Sequence, residues 1–362
     1  MSRSGNVFAV GIELDGEGYH PAAWRRAAHP PDAFLTGDTL RKRVSAAENA
    51  GFTLATFDDS ILPPVGHPAA RIDGVTRASF VAATTSTIGL VATVATTYAE
   101  PFHTSAQLAT LDYASRGRGG WIATTIAAPA AATTWGRPAR TTEAELAREQ
   151  RDSIEVARRL WDSWEDDAVV RDHAASRFLD RDKLHYIDFT GETFSVRGPA
   201  IVPRPPQGQV VVFAYDTTES GAVDVILVAG RDLAQTLAAA DRARATGALV
   251  FAELEVALDI PHATAAQRIA DPDEYASANP TERLTFSGSP TDLVRLITEL
   301  AHHVDGVRLH PAVIDEDLPA LARHVLPALF RSGVLHRPVP GSTLRANLGL
   351  ARPINRYAKD QH

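Results

Sequence analysis

No cysteine occurs in the 362 residues, which removes disulfides, thiolate metal sites and cysteine nucleophiles together. No run of eighteen apolar residues occurs either, so no segment reads as a membrane-spanning helix. The opening stretch, MSRSGNVFAVGIELDGEG, has only a short apolar run before Glu13 and Asp15, too short for the core of a secretory signal. Lys and Arg form no dense block, and 36 basic against 44 acidic side chains leave a formal net charge of −8. An acidic surface repels phosphate backbones, which argues against nucleic-acid binding. These absences predict a cytoplasmic protein with neither membrane nor nucleic acid as partner.

What the chain does have is a 44% hydrophobic composition, arranged as alternating β-branched runs and Ala-rich helical stretches. Strands are predicted at 7–14, 52–57, 87–95, 120–125, 210–214, 225–229, 248–257 and 306–310. Helices are predicted at 38–50, with Asp38 as N-cap and Gly51 just past the end, and at 77–84, 101–114, 142–164, 232–245, 290–303 and 317–330. In the longest helix Leu146, Ile154, Ala157, Leu160 and Trp161 recur near the helical period. Strand–helix alternation calls for a parallel sheet, and about eight repeats suit closure into a (β/α)8 TIM barrel. An open doubly wound sheet is the alternative, weakened because no GxGxxG follows the first strand. One domain suffices for the length. It would have an irregular insertion around 166–209 (a hairpin, then a Pro-rich crossing) and a tail from about 341 that wraps the barrel.

Several strings carry a resemblance, in order along the chain. They are GEGYHPAAWR near 16, AAENAGFTLATFDDS at 46–60, STIGLVATVATTYAEPFHTSAQLATLDYASRGRGGW at 86–121 and RRLWDSWEDDAVVRD at 158–172. GETFSVRGPAIVPRPPQG at 191–208, GSPTDLVRLITELAHHVDGVRL at 288–309 and GSTLRANLGLARP at 341–353 continue it. Together they resemble the nitrilotriacetate monooxygenase branch of the bacterial-luciferase-like flavin monooxygenase superfamily. The resemblance implies reduced FMN supplied by a separate flavin reductase, oxygenation of a small-molecule substrate, and a homodimer formed through helices after early strands, near 77–84 and 101–114. The flavin would sit at the C-terminal mouth of the barrel, where such folds place their active sites.

By the same resemblance, Asp59, Thr96, Thr97 and Thr125 at strand ends, and Thr217 and Thr218 after the fifth strand, would contact the cofactor. His310, ending the last strand, is the candidate proton donor or substrate contact. Each has a plainer reading: Asp59 could cap a helix, the threonines could serve strand packing, and His310 could be a structural histidine. His302 and His303 with Glu299 do not share a helix face, so no metal site is expected.

The chain also departs from the family pattern. Gly120-Trp121-Ile122 stands where the family reads GWN, and Leu146-Ala147 replace an Arg-Tyr pair. Tyr215-Asp216-Thr217-Thr218 replace Ala-Gly-Ser-Ser at the turn that cradles the FMN phosphate. A carboxylate at 216 would repel a phosphate dianion. The segment between Ala257 and Phe286 is also shorter than the family's lid. Three readings therefore stand: an FMN-dependent monooxygenase, a relative that has lost flavin binding and acts as a non-catalytic or ligand-binding barrel, and a deazaflavin-dependent oxidoreductase.

Overall fold

The computed structural model describes residues 7–30, 33, 35–63, 70–140, 142–216, 223–277 and 281–358. Eight parallel strands close into a ring. In chain order they are β1 (Ala9–Glu13), β2 (Leu54–Phe57), β3 (Gly89–Ala95), β4 (Gly119–Thr124), β5 (Val211–Tyr215), β6 (Val225–Val228), β7 (Leu249–Leu258) and, after a short extra strand, β9 (Gly306–Pro311). Closure is made where β9 pairs with β1, Ala9 opposite Gly306 and Ile12 opposite Leu309. The extra strand, β8 (Leu284–Gly288), pairs with the outer half of β7, beyond the point where β6 ends.

The strand–helix alternation is as the sequence predicts, and the helix Pro101–Ala114 has the predicted bounds. The first helix, α1 (Gly37–Ala50), corrects one detail. Its N-cap residue is Thr36, and Asp38 lies inside the first turn, where its charge suits the helix dipole and where it accepts from Arg41 at 2.6 Å. Gly51 does end the helix, in the left-handed conformation at φ 96°. Further helices not expected from the sequence are α4 (Pro129–Trp135), α7 (Ala265–Asp273) and a single turn at Leu344–Asn347. The last predicted helix begins earlier, at Ile314, and runs through a π turn at Leu321–Val325 to Arg331.

The long helix α5 (Glu143–Asp162) opens on a reciprocal capping box between Thr142 and Glu145. It buries Leu146, Ile154, Ala157, Leu160 and Trp161, as its periodicity requires. Two short hairpins (Val169–Asp172 with Arg177–Leu179, and Phe189–Thr190 with Ser195–Val196) follow it. The second contributes Ile187 and Val196 to a small core against Val156 and Leu160.

Side chains alternate inward and outward along every strand. Inward-facing Ala9, Leu54, Val91, Ile122, Val211, Phe213, Val225, Leu227, Leu249 and Phe251 fill the lower lumen, and the floor is sealed by Leu344 and Leu348 of the tail. Space for Leu344 is made by two glycines of the SRGRGGW and STIGL strings. A Cβ on Gly89 would lie 2.6 Å from a Leu344 methyl, and one on Gly120 would lie 3.1 Å from the other. The tail is fastened by Arg345, whose guanidinium is bonded to both Asp224 oxygens at 3.0 and 3.1 Å. Asn355 Nδ2 adds bonds to the carbonyls of Asp162 and Trp164. Among the described residues no helix is long and apolar enough to cross a membrane.

Candidate functional site

Followed upward, the same inward parity turns polar. Above the apolar floor it reads Glu13 on β1, Thr56 on β2, Thr93 on β3, Thr124 on β4, Tyr215 on β5, Glu253 on β7 and Arg308 on β9. A charge inside a barrel requires a partner, and these residues supply one another. Arg308 Nη2 donates to Glu253 Oε2 at 2.8 Å and to the Tyr215 hydroxyl at 3.0 Å. His310 Nε2 lies 3.0 Å from Glu253 Oε2 and 3.2 Å from Arg308 Nε. Arg283, just ahead of β8, donates to Glu253 at 3.3 Å and to Glu255 at 3.1 Å.

The electrostatics follow from burial and pairing. Burial, the largest single effect, would push Glu253 up, but the guanidinium groups of Arg308 and Arg283 and the contact with His310 together outweigh it and hold the carboxyl down to about 2. Burial would likewise lower Arg308, yet Glu253 raises it. His310 is pushed down to about 4 by burial and by Arg308, so its ring is neutral at pH 7. Glu13 behaves oppositely. Burial pushes it up to about 7, Asp58 and Asp15 add to this, and Arg308 opposes them. Its carboxylate accepts from Thr56 Oγ1 at 2.7 Å and from the backbone N–H groups of Asp15 and Asp58 at 3.0 and 3.1 Å.

These groups line a cavity of about 280 Å3 at the C-terminal mouth, with Glu13, Asp58, Glu255, Arg283, Arg308 and His310 on its wall. The opposite side of the mouth is apolar. Over the ends of β2, β3 and β4, Ile61, Leu62, Tyr98 and Ile126 pack with Ala131 and Ala132. A second cavity of about 440 Å3 opens between the loop after β1 and helices α1 and α2 (Gly74–Ala82). Trp24, Leu40 and Phe80 line it with Arg43 and Arg77, and it shares Asp15 and Gly18 with the mouth.

The residues singled out in the sequence fall as follows. Asp59 follows β2, but both its oxygens are engaged locally, accepting from the N–H of Ser60 at 2.8 Å and of Gly74, the first residue of α2, at 2.7 Å. Thr96 Oγ1 donates to the carbonyl of Thr124, and Thr97 Oγ1 accepts from the N–H of Ile126, so both hydroxyls tie β3 to β4. Thr125 is half-buried at the end of β4. His310 is on the cavity wall. Thr217 and Thr218 lie outside the described residues. Asp216 is half-buried, 3.9 Å from Arg242. Ile122, where the family has an amide, points into the apolar lumen. Glu13, Glu253, Arg308 and Arg283 were not singled out, although a charge at inward parity inside AVGIE, LVFAELEVAL and GVRLHP was readable.

The nearest thing to a metal cluster among the described residues is Glu17, His29 and Asp315. Arg43 is bonded to both carboxylates and supplies positive charge there already.

Comparison with known proteins gives a consistent picture. The model of the luciferase-like monooxygenase family matches residues 20–305. The N-acetyl-S-(2-succino)cysteine monooxygenase of Bacillus subtilis (strain 168) is 28% identical, over 99% of this chain and 100% of that protein. Nitrilotriacetate monooxygenase component A of Aminobacter aminovorans is 26% identical, over 97% and 98%. Both alignments run over 443 positions against 362 residues here, so these relatives carry segments that this chain lacks. Among solved structures, long-chain alkane monooxygenase superposes with a TM-score of 0.81 at 19% identity, over 96% of each chain.

Proposed function

Because the chain belongs to the luciferase-like monooxygenase family, we propose that it is a flavin-dependent monooxygenase whose flavin ring lies on the apolar half of the mouth and whose small organic substrate lies on the charged half. The observation that carries this is the division of the mouth itself. A flavin ring is flat, largely apolar and edged with hydrogen-bonding atoms. The Ile61, Leu62, Tyr98 and Ile126 side offers apolar surface, and Thr124 Oγ1 beside it has no hydrogen-bond partner. The ring therefore fits. The FMN phosphate is the poorer match, because Asp216, just after β5, stands where the family pattern has a glycine.

When bound, reduced flavin supplies the electrons and the oxygen-activating chemistry. This chain's residues bind, orient and exclude water. His310, neutral at pH 7, orients substrate by hydrogen bonding. A separate reductase supplies the reduced flavin, a reading supported by the name "component A" of the A. aminovorans relative. Asp216 favours a second reading, a barrel of this family that has given up flavin.

Titration with FMN and riboflavin, oxidised and reduced, separates the two. Two unit charges at about 4 Å repel by about 1 to 4 kcal/mol, depending on exposure. Arg242 offsets part of this, so the lower end applies. Riboflavin is expected to bind at least as tightly as FMN, and Asp216→Gly should tighten FMN about tenfold while leaving riboflavin unchanged. Binding of neither flavin would favour the second reading, and tight FMN binding to the wild type would show that its phosphate is held elsewhere.

We propose a homodimer as well. Phe80 on α2 and Tyr113 on α3 (Pro101–Ala114) are 50% and 45% exposed, on the two helices that the resemblance places at the contact. Light scattering at micromolar protein should give twice the chain mass, and a monomer would remove the idea.

A further inference from the structure

The charged half of the mouth holds a donor that its ion pairs do not use. Arg308 directs Nη2 at Glu253 and Tyr215, and Nε at His310. Its Nη1 is buried without any hydrogen-bond partner, and Glu13 Oε2 lies 3.8 Å away. Arg308 and Glu13 both line the 280 Å3 cavity, together with Arg283. We propose that this cavity is a receptor for a small carboxylate, held by Arg308 Nη1 and Arg283, and that a proton settles on Glu13 as the carboxylate enters. This rests on the mouth being the ligand site but is independent of flavin.

The reason is charge. A carboxylate that accepts from Arg308 Nη1 comes against Glu13, and two carboxylates in contact do not both stay ionised. One proton shared between them turns the repulsion into an O–H···O bond, with Glu13 as donor and the ligand as acceptor. Glu13 is prepared for this, because burial already places its titration near neutrality.

The groups around it set the direction. Asp15, from the loop after β1, is bonded to Arg77 and lies 3.9 Å from Arg71. Asp58 faces Glu13 from β2, Glu253 and Glu255 from β7, Tyr215 from β5, and Arg308 and His310 from β9, with Arg283 at the rim. Asp15, Glu253 and Glu255 each already have a guanidinium, so an ammonium ligand would add little and would leave Nη1 unmet. Glu253 Oε1 also lacks a partner, and a hydroxyl next to the ligand's carboxylate would supply one.

Isothermal titration of the full chain with malate, without flavin, from pH 6 to 8.5 and in two buffers of different ionisation enthalpy, tests this. Affinity should be flat below pH 7 and fall by about tenfold per unit above it. Close to one proton should be taken up per malate at pH 8. Glu13→Gln should bind malate at pH 8 about as well as wild type does at pH 6, with neither slope nor uptake. Arg283→Gln should weaken binding at every pH. PH-independent binding, absent proton uptake, a slope that survives in Glu13→Gln, or no malate binding by folded wild type would each overturn the proposal. If Glu13→Gln does not fold, wild-type proton uptake alone decides. Malate binding without flavin binding would sink the flavin reading and leave this one standing, and the converse outcome would do the reverse.

Discussion

Truncation after Pro340 should give a chain that no longer unfolds as one cooperative unit and that exposes apolar surface to dyes. The tail does not simply wrap the barrel. Leu344 and Leu348 are the floor of its lumen, fully or almost fully buried against residues from β1 to β7. Burying a leucine contributes about 1.5–3 kcal/mol, so two give about 3–6 kcal/mol before any cavity term. Losing Arg345 also leaves Asp224 with only the guanidinium of Arg158. The total approaches the net stability of a typical protein, about 5–15 kcal/mol. Leu344→Ala alone should cost about 2–5 kcal/mol in urea unfolding. A truncated protein with an unchanged midpoint would refute the role of the tail.

Arg308→Leu should destabilise the fold by up to about 3–5 kcal/mol at pH 7, because it takes the nearest cation from buried Glu253 and leaves it only the rim guanidinium of Arg283 at 3.3 Å and the neutral ring of His310. Replacing both partners, Arg308→Leu with Glu253→Leu, should recover most of that loss. The pH dependence gives a second check. Glu253 is held down to about 2 in the folded state, below its ordinary 4.5. Its contribution to stability is therefore present above about pH 4.5 and lost as pH falls toward 2. The deficit of Arg308→Leu relative to wild type should be full at pH 7 and shrink through that acid window. A deficit that is the same at pH 7 and pH 3 would mean that the cost is packing rather than charge.

The fold was legible because its pattern is local: each β-branched run and each Ala-rich stretch announces itself through its own period. What escaped was short or mixed. β8 is five residues, LTFSG, with alternating exposure. Helix α7 is nine residues long, carries Pro272 and buries a charged residue, Arg268, on its inner face. It is fixed by the Thr264–Gln267 capping box and by Arg268 bonded to Asp317.

The site was less legible than the fold. Of the polar residues at strand ends, His310 is on the cavity wall, whereas Asp59 caps a helix and Thr97 joins two strands. Glu253 and Arg308 sit inside their strands, five and three residues before the ends, and Glu13 closes a strand whose sequence reads as running one residue further. Their significance depends on inward parity, which becomes decisive only once the ring is known to close.

Ring closure has a consequence for how the chain reaches this state. β1 pairs with β9 across almost 300 positions, Ala9 with Gly306. Until that contact forms, both strands present unpaired edges, the kind of surface on which chains join to one another. Pairings so distant are slow to form, because loop closure comes before any return from contact. The floor-sealing leucines pack against residues from β1 to β7, so their site is complete only once the ring has closed. Refolding from denaturant should therefore yield less native protein as concentration rises, with the loss set while the open sheet waits for its two edges to meet.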